Sequence, residues 1–386
     1  MKRKSLSQEK TVSGRSAGSR RKFLKAATSA ATAGAALGFP AIATSQTQTT
    51  WRFQSTWPAK DIFHEYAQDY ARRVNEMSGG RFKLDVLPAG AVVGAFGMQD
   101  AVSTGVLEGG HGVCAYWYGK NKAFSLFGTA PSFGWNANEL LGWFYYGDGE
   151  KLYNELLNDI LKVNVVGWLT GPMPTQPLGW FKKQVTEASQ MQKMKYRTVG
   201  LAADLMNEMG AAVTIMAGAD IVPAMDRGVL DAAEFNNPSS DLALGFPDVS
   251  KVYMVQSFHQ DMECFEIIFN KGKYNGLAKE QQAILKYACE AASADMSWKL
   301  QKRYPEDLAK IEKAGVKVYE TPKSVLEAQL AAWDKILARL SAENKFFGRV
   351  IESQKAWAKT VAGFMGQFES PRELAANHFL GLKKVG

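Results

Sequence analysis

A predicted strand carries a polar side chain that could bind a small anion. Arg197 lies inside this strand, and Gly200 comes just before the next predicted helix. A guanidinium group binds a carboxylate through two parallel hydrogen bonds, and the backbone N–H groups of a helix N-terminus add further donors. The pattern indicates a carboxylate site, with an ion pair between Arg197 and an internal acid as the alternative.

Oxygen atoms that could bind a hard cation lie in two other segments. Glu234 opens the run Glu234-Phe235-Asn236-Asn237-Pro238 near the end of a predicted strand, where a carboxylate and several carbonyl oxygens could ligate an ion. A hydrogen-bonded turn without an ion fits this run equally well. Gln176 lies between Pro174 and Pro177, in a loop that is too rich in proline to be helical.

Motifs for covalent, nucleotide or zinc chemistry are absent from the sequence. It contains no HExxH, CxxC, GxSxG or Walker motif, and no GxGxxG after a predicted strand. The four histidines are widely separated: His64, His111, His259 and His378. We therefore expect no catalytic zinc and no organic cofactor, and we interpret the chain as a binding protein and not an enzyme.

The net charge of +8 belongs to the beginning of the chain. Residues 1–43 contain nine basic side chains and one acidic one, and the rest of the chain contains 37 of each. No nucleic-acid partner is expected from this balance. The segment 19–25, Ser-Arg-Arg-Lys-Phe-Leu-Lys, precedes a mildly apolar run and Ala41-Ile42-Ala43. This order looks like a twin-arginine signal with its cleavage site and predicts export to the periplasm.

Strand and helix patterns alternate twice in the remaining chain. The first set has predicted strands at 51–55 and 82–86 and predicted helices at 62–77 and 98–107. The second set has predicted strands at 163–169, 178–181, 196–199, 212–216 and 232–235. From residue 278 the pattern is almost wholly helical. The sequence therefore predicts two α/β lobes with mostly parallel sheets, followed by long helices.

The cysteines predict no disulfide framework. The sequence has three of them, an odd number, and each has at least one apolar neighbour: Cys114, Cys264 and Cys289. We expect buried free thiols that pack as small apolar side chains.

Several segments resemble the substrate-binding proteins of tripartite ATP-independent periplasmic (TRAP) transporters. The resemblance is carried by Ala-Val-Ser-Thr-Gly-Val-Leu-Glu at 101–108, Tyr-Arg-Thr-Val-Gly at 196–200 and Ile-Val-Pro-Ala-Met-Asp-Arg-Gly-Val-Leu-Asp-Ala-Ala-Glu-Phe-Asn-Asn-Pro at 221–238. It extends from about Thr50 to Phe379, and it is greatest to the branch that binds 2-oxo acids. The family implies an α/β, two-lobed periplasmic binding protein fold, type II-like, with long C-terminal helices.

The resemblance also implies a division of the chain. A signal peptide would occupy 1–43, lobe 1 mainly 44–165, lobe 2 mainly 166–265, and a helical region packing on both lobes 266–386. The helical region would end in a dimerisation helix, which predicts a homodimer. An apolar stripe at helical spacing fits this region: Leu326, Leu330, Trp333, Leu337 and Leu340.

In the 2-oxo-acid branch, a monocarboxylate such as pyruvate binds with a sodium ion between the lobes. The resemblance implies that Arg197 clamps the ligand carboxylate, that Gln176 contacts both ligand and cation, and that Glu234 ligates the cation. Phe235 would offer its backbone carbonyl to the cation. The branch often has Trp at this position, and the departure changes the ring without changing the carbonyl.

Three further residues are expected around the ligand. Gln260 would complete the ligand shell. Tyr116 and Trp117 would form walls of the cleft, with a role as ordinary core aromatics as the alternative.

The implied function is a periplasmic receptor that captures a small carboxylate by hinge closure and delivers it to the TRAP membrane subunits. Sodium is the favoured cation, and calcium is the alternative because similar family members bind lactate-type ligands with calcium. A receptor of the same shape for another carboxylate and a periplasmic cofactor enzyme are the competing hypotheses.

Overall fold

The computed structural model describes residues 48–129, 131 and 133–382. The signal predicted over 1–43 lies outside these residues. The strands have the following bounds: β1 Thr49–Ser55, β2 Phe82–Leu87, β3 Gly109–Gly112, β4 Val165–Met173, β5 Gly179–Phe181, β6 Lys195–Arg197, β7 Ala212–Thr214, β8 Ala232–Ala233, β9 Val252–Val255, β10 Glu263–Asn270 and β11 Lys317–Glu320.

The helices alternate with the strands and dominate the C-terminal part. Their bounds are α1 Ile62–Met77, α2 Met98–Thr104, α3 Ala137–Tyr146, α4 Gly149–Glu155, α5 Leu201–Glu208, α6 Gly218–Asp226, α7 Pro238–Leu244, α8 Phe246–Val249, α9 Lys271–Asn275, α10 Lys279–Lys313, α11 Lys323–Glu343, α12 Lys345–Phe368 and α13 Arg372–Leu380. Short 3₁₀ turns lie at Ala95–Gly97, Cys114–Trp117, Lys122–Phe127 and Ala188–Met191, and a π turn lies at Leu156–Ile160.

The strands form two mixed sheets, one in each lobe. The first sheet has the order β2-β1-β3-β10-β4, and the second has the order β11-β9-β5-β8-β6-β7. Strand β10 runs antiparallel to its neighbours in the first sheet, and β5 does so in the second. The other neighbouring pairs are parallel. The prediction of α/β lobes is confirmed, whereas the sheets are mixed and not mostly parallel: two of the four neighbouring pairs in the first sheet and two of the five in the second are antiparallel.

Two segments without helices connect the sheets. Strand β4 leads through 174–178 into β5, and β9 leads through 256–262 into β10. We call these the crossing segments. The sequence pattern places the predicted strand 163–169 in the second set. This prediction is wrong, because β4 pairs with β10 in the first sheet. Local patterning could not show this, since the partner strand lies about a hundred residues further along the chain.

Helix α1 shows how local sequence sets the elements. Its bounds match the predicted 62–77, and the Asp61 side chain caps its start by accepting a hydrogen bond from the Phe63 N–H at 3.1 Å. Helix α2 ends earlier than the predicted 107. Gly105 takes φ +82° there, and its N–H bonds to the Val102 carbonyl at 3.1 Å, which closes the helix.

Close packing explains the glycines of β3. A Cβ atom on Gly110 would lie 2.2 Å from Met98 Sδ, and one on Gly109 would lie 2.5 Å from the Phe269 ring. These positions accept only glycine without rearrangement of their neighbours.

The long helices join the lobes. Helix α10 packs on β4 and α1 of the first lobe and on α7 of the second, while α11 packs on α5 and α12 packs on α3. Helix α13 has no buried residue. No helix within the described residues is both long enough and apolar enough to cross a membrane.

All three cysteines are free and fully buried in the core. Burial raises the pKa of each thiol above its usual value, so the reactive thiolate is disfavoured as well as inaccessible. The expectation of buried free thiols agrees with this arrangement.

We expect the native protein to be unreactive toward an aromatic disulfide reagent, because a reagent in water cannot reach these thiols. In denaturant, the same protein should release three equivalents of product. A fast native reaction of even one thiol would contradict the core described above, and a thiol count below three in denaturant would indicate a disulfide.

Candidate functional site

The predicted site residues meet where the second sheet faces the crossing segments. Arg197 ends β6, Glu234 directly follows β8, and Met216 comes two residues after β7. Because these three strands are parallel, their carboxyl ends lie along one edge of the sheet, which is the usual ligand-binding edge of α/β folds. Gln176 and Gln260 reach the same region from the two crossing segments.

The Arg197 guanidinium is buried and almost fully paired. Its Nη1 donates to the Glu234 backbone carbonyl at 2.8 Å and to Glu234 Oε1 at 2.9 Å. Its Nε and Nη2 donate to the Met216 carbonyl at 3.0 and 2.8 Å. These contacts account for four of the five N–H groups. The structure thus contains the internal ion pair that the sequence left open, and a two-pronged clamp would need Glu234 to move.

Glu234 is fully buried beside this cation. Burial raises the pKa of its carboxyl group, and the positive charge of Arg197 opposes that effect. Oε1 is taken by Arg197, whereas Oε2 forms no hydrogen bond of normal geometry among the described residues; the buried Thr198 hydroxyl, also without such a bond, is the neighbour that helps to lower the pKa of Glu234. A buried carboxylate oxygen without a partner carries an uncompensated desolvation cost, which a bound cation would remove.

Glu263, at the start of β10, is a site residue that the sequence analysis missed. Its Oε2 accepts a hydrogen bond from Gln176 Nε2 at 2.7 Å and another from Asn236 Nδ2. Burial raises the pKa of Glu263 to about 8; hydrogen bonds from Asn236 and Gln176 act in the opposite direction. The only available signal was an acid at the end of a crossing segment, three residues beyond Gln260.

The two crossing segments are tied together at the site. The Gln176 N–H donates to the Gln260 carbonyl at 3.0 Å. Both side chains are buried, and each leaves an atom without a partner among the described residues: Oε1 of Gln176 and Nε2 of Gln260. An acceptor and a donor are therefore both free at the junction of the lobes.

Phe235 and Tyr116 enclose this group. The Phe235 ring lies 5.7 Å from Arg197 Cζ and stacks on the Phe246 ring at 6.4 Å. Tyr116 is 8% exposed. Burial raises its pKa, the charge of Arg197 lowers it and that of Glu263 raises it, so the Tyr116 hydroxyl stays protonated.

Trp117 lies in a different buried group. Its Nε1 donates to Glu266, which also accepts hydrogen bonds from Tyr153 and Cys114. The structure therefore brings together Arg197, Glu234, Gln176, Gln260, Phe235 and Tyr116. Trp117 contacts the Tyr116 ring, with ring centroids 6.5 Å apart, while its polar atom is bound to Glu266.

The oxygen atoms at this site would suit a hard cation as ligands. The unpaired acceptors Gln176 Oε1 and Glu234 Oε2 are oxygens, as are the neighbouring Glu263 carboxylate and the backbone carbonyls. The described residues contain no group of three or more His, Cys, Asp or Glu side chains placed to hold a metal. A cation at this site would therefore depend on amide and backbone oxygens as well as carboxylates.

The two lobes also touch beside the site. Ser240 on α7 donates to Asp61 Oδ1 at 2.6 Å, next to the start of α1. Lys122 donates to Asp204 on α5 at 2.8 Å, and Tyr118 also donates to this carboxylate. These contacts join lobe 1 to lobe 2.

Asp61 should make stability depend on pH. Burial raises its pKa to about 7, so between pH 4 and 7 the folded state holds a proton that the unfolded state has lost. Asp61 should therefore lower stability by about 1 kcal/mol per pH unit as the pH rises through this window, in addition to the contributions of buried Asp241 and Glu263, whose pKa values are raised to about 7 and about 8. Asp61→Asn should reduce the slope of the wild type by the Asp61 contribution, measured by urea unfolding at pH 5, 6 and 7. The exposed Asp159→Asn control should retain it, and equal slopes for both variants would contradict the assignment.

Comparisons with known proteins identify the family to which this chain belongs. The model of the family named DctP, bacterial extracellular solute-binding protein family 7, matches residues 53–344. The chain belongs to this family. The predicted resemblance is thereby confirmed, and the chain is a solute-binding receptor of the TRAP type.

Named relatives extend the comparison. The monocarboxylate 2-oxoacid-binding periplasmic protein of Nostoc sp. is 30% identical over 311 residues, which cover 81% of this chain and 84% of that protein. A TRAP transporter solute-binding protein from Bordetella bronchiseptica is 27% identical with a TM-score of 0.80, covering 86% of this chain and 97% of that one. It is a mixed-occupancy dimer with copurified calcium and picolinate in one active site.

A second solved structure is the TRAP periplasmic solute-binding protein of Pseudoalteromonas atlantica, which contains sodium and pyruvate. It is 28% identical with a TM-score of 0.79, covering 86% of this chain and all of that one. These likenesses confirm the two-lobed fold. The family is extracellular, in agreement with a periplasmic location, while the twin-arginine route stays a prediction.

Proposed function

We propose that the protein captures a small monocarboxylate of the 2-oxo-acid class, together with a cation, and delivers it to TRAP membrane subunits. The observation that carries this proposal is the buried group of Arg197, Glu234, Gln176 and Glu263, which retains unpaired polar atoms where the lobes meet. The 2-oxoacid-binding relative and the pyruvate-bound structure support the ligand class. We propose binding without chemical turnover.

The cation would be held by Gln176, Glu234, Glu263 and the backbone carbonyl of Phe235. When bound, it would offset the negative charge of Glu234, favour ionisation of Glu263, whose pKa is raised to about 8 by burial, and attract the ligand carboxylate. Sodium remains the favoured ion. Calcium is the alternative, and the Bordetella protein with copurified calcium supports testing both.

Arg197 would supply the fixed positive charge for the ligand carboxylate, and Tyr116 would close the cleft from the first lobe. Because these groups are removed from water, their attraction for an anion is stronger than it would be at the surface. Gln260 would contact the ligand. The sequence analysis predicts Trp117 as a second wall of the cleft. The hydrogen bond from Trp117 to Glu266 gives that role no support.

Closure would involve the crossing segments. Because 174–178 and 256–262 connect the first sheet to the second, a rotation about these segments would separate the two sheets. A ligand that contacts both lobes would favour the arrangement in which Asp61 meets Ser240. The boundaries 44–165, 166–265 and 266–386 stay part of this proposal.

The ligand prediction is tested by thermal unfolding of the mature protein, residues 44–386. We expect pyruvate to raise the midpoint in the presence of sodium or calcium, because a ligand that binds only the folded state stabilises it by mass action. The ion that permits the rise identifies the cation. Propionate, lactate and a dicarboxylate complete the panel, and enzymatic turnover of pyruvate would contradict the receptor assignment.

Matched variants separate the two sets of contacts. Arg197→Ala should abolish the rise with pyruvate, and Glu263→Gln should weaken its dependence on the cation. Exposed Arg227→Ala should behave as the wild type. Each variant is first checked for cooperative unfolding, since Arg197→Ala leaves Glu234 buried without its partner, at a cost of about 3–5 kcal/mol. No rise with any carboxylate would remove the proposal.

We also propose that the protein forms a homodimer through its C-terminal helices. Phe364 and Phe368 on α12 are 55% and 70% exposed and stack on each other at 4.5 Å. A groove of about 650 Å³ between α3 and α10 carries three exposed aromatic side chains: Tyr146, Tyr287 and Trp298. Two copies could bury both apolar surfaces together, and the Bordetella dimer supports this arrangement.

Light scattering after gel filtration tests the dimer. The wild type should have twice the mass of the chain, and the double variant Phe364→Ser with Phe368→Ser should be a monomer because it removes the stacked pair. Val229→Ser, an exposed apolar residue on lobe 2, should stay dimeric. A wild type that is monomeric at micromolar concentration would contradict the proposal.

A further inference from the structure

The second crossing segment contains a buried histidine with an unused ring nitrogen. His259 is 0% exposed. Its Nδ1 lies 2.6 Å from Ser257 Oγ, and its Nε2 has no hydrogen-bond partner among the described residues. Buried ring nitrogens are normally paired, so this atom requires an explanation.

The orientation of the Gln329 side-chain amide, on α11, determines that Ser257 Oγ accepts a hydrogen bond from it. The Phe258 N–H, which can only donate, bonds to Gln329 Oε1 at 2.8 Å. The other side of the same amide, Nε2, therefore donates to Ser257 Oγ at 2.8 Å. The His259 N–H also points to Ser257 Oγ, at 3.3 Å.

These contacts determine which nitrogen of His259 carries the proton. The Ser257 oxygen already accepts from Gln329 and from the His259 backbone, and a hydroxyl oxygen has two acceptor positions. Its own hydrogen must therefore be donated to His259 Nδ1. In a neutral imidazole the proton then lies on Nε2, which makes the unpaired atom a hydrogen-bond donor.

His259 is part of the site through its neighbours. The next residue, Gln260, accepts the Gln176 N–H on its backbone carbonyl at 3.0 Å. Burial lowers the pKa of His259 to about 3, and the positive charge of Arg197 adds to this effect. The ring is therefore neutral at physiological pH, and it lies near enough to Arg197 for that charge to affect its pKa.

We propose that His259 is a specificity-determining residue whose Nε2–H hydrogen bonds to the oxygen on carbon 2 of the bound acid. This inference rests on the proposed function, in which Arg197 and the cation recognise the carboxylate. A 2-oxo or 2-hydroxy acid offers an acceptor to Nε2–H. An acid without that oxygen leaves a buried donor unpaired, and a 2-ammonium acid brings more donors and a second positive charge.

The test compares affinities for pyruvate and propionate by calorimetry, in the presence of the cation that supports binding. His259→Asn keeps a group at the position of Nδ1 and removes the Nε2 donor. It should weaken pyruvate binding by about tenfold and leave propionate binding unchanged. His259→Gln, which places an amide N–H near the position of Nε2, should restore most of the preference for pyruvate.

One control variant and the behaviour of the wild type keep the outcomes distinct. His64→Asn alters a buried histidine whose two ring nitrogens both have partners, Ser55 and Gln68, and should leave the ratio of affinities unchanged. If wild type binds neither acid, the proposed function fails and this inference fails with it. If wild type binds pyruvate and His259→Asn changes both affinities equally or neither, only the role of His259 is overturned.

A measurement on the wild type avoids any dependence on how the variants fold. Long-range ¹H–¹⁵N NMR of histidine-labelled protein should show the Nε2–H tautomer of His259 without ligand. Pyruvate should shift the Nε2–H proton resonance and slow its exchange with water, while propionate should do neither. An Nδ1–H tautomer, or equal responses to the two acids, would overturn the proposal.

Discussion

The buried ion pair between Arg197 and Glu234 is the constraint on which the site depends. Both side chains are almost completely removed from water, and their separation is 2.9 Å. Burying two charges is costly, and apolar residues of similar volume are often as stable or more so. The pair therefore adds little to the fold, and in the proposed function its value lies in holding a fixed charge at the sheet edge for a ligand. The parallel strands β6, β7 and β8 make this arrangement possible by ending together.

The crossing segments complete the site from the other side. They carry Gln176, His259 and Gln260, and they are held to each other by the bond between Gln176 and Gln260. Helix α11 restrains one of them further, because Gln329 and Trp333 bond to the backbone at Phe258. The site residues are thus attached to the only direct connections between the sheets in the described residues, where rotation of the lobes would alter them least.

The unpaired atoms at this junction divide by chemistry. Gln176 Oε1 and Glu234 Oε2 are acceptors, which suits a cation. Gln260 Nε2 and His259 Nε2 are donors, which suits the oxygens of an acid. Leaving such groups unpaired in the interior destabilises the free protein, and a ligand that brings a cation and an anion together satisfies both kinds at once. In the proposed function, the same division would allow a site with acidic side chains to receive a carboxylate.

The sequence by itself determined the alternation of strands and helices, the bounds of α1, the buried cysteines and four of the groups around the ion pair, because these depend on local periodicity, on capping residues and on motif resemblance. Only the tertiary structure decided that β4 belongs to the first sheet and that Trp117 faces Glu266. It alone added Glu263 and His259. Their roles come from partners far away in the chain, such as Gln176 and Gln329, and from loss of water around them, and neither leaves a pattern in the residues nearby.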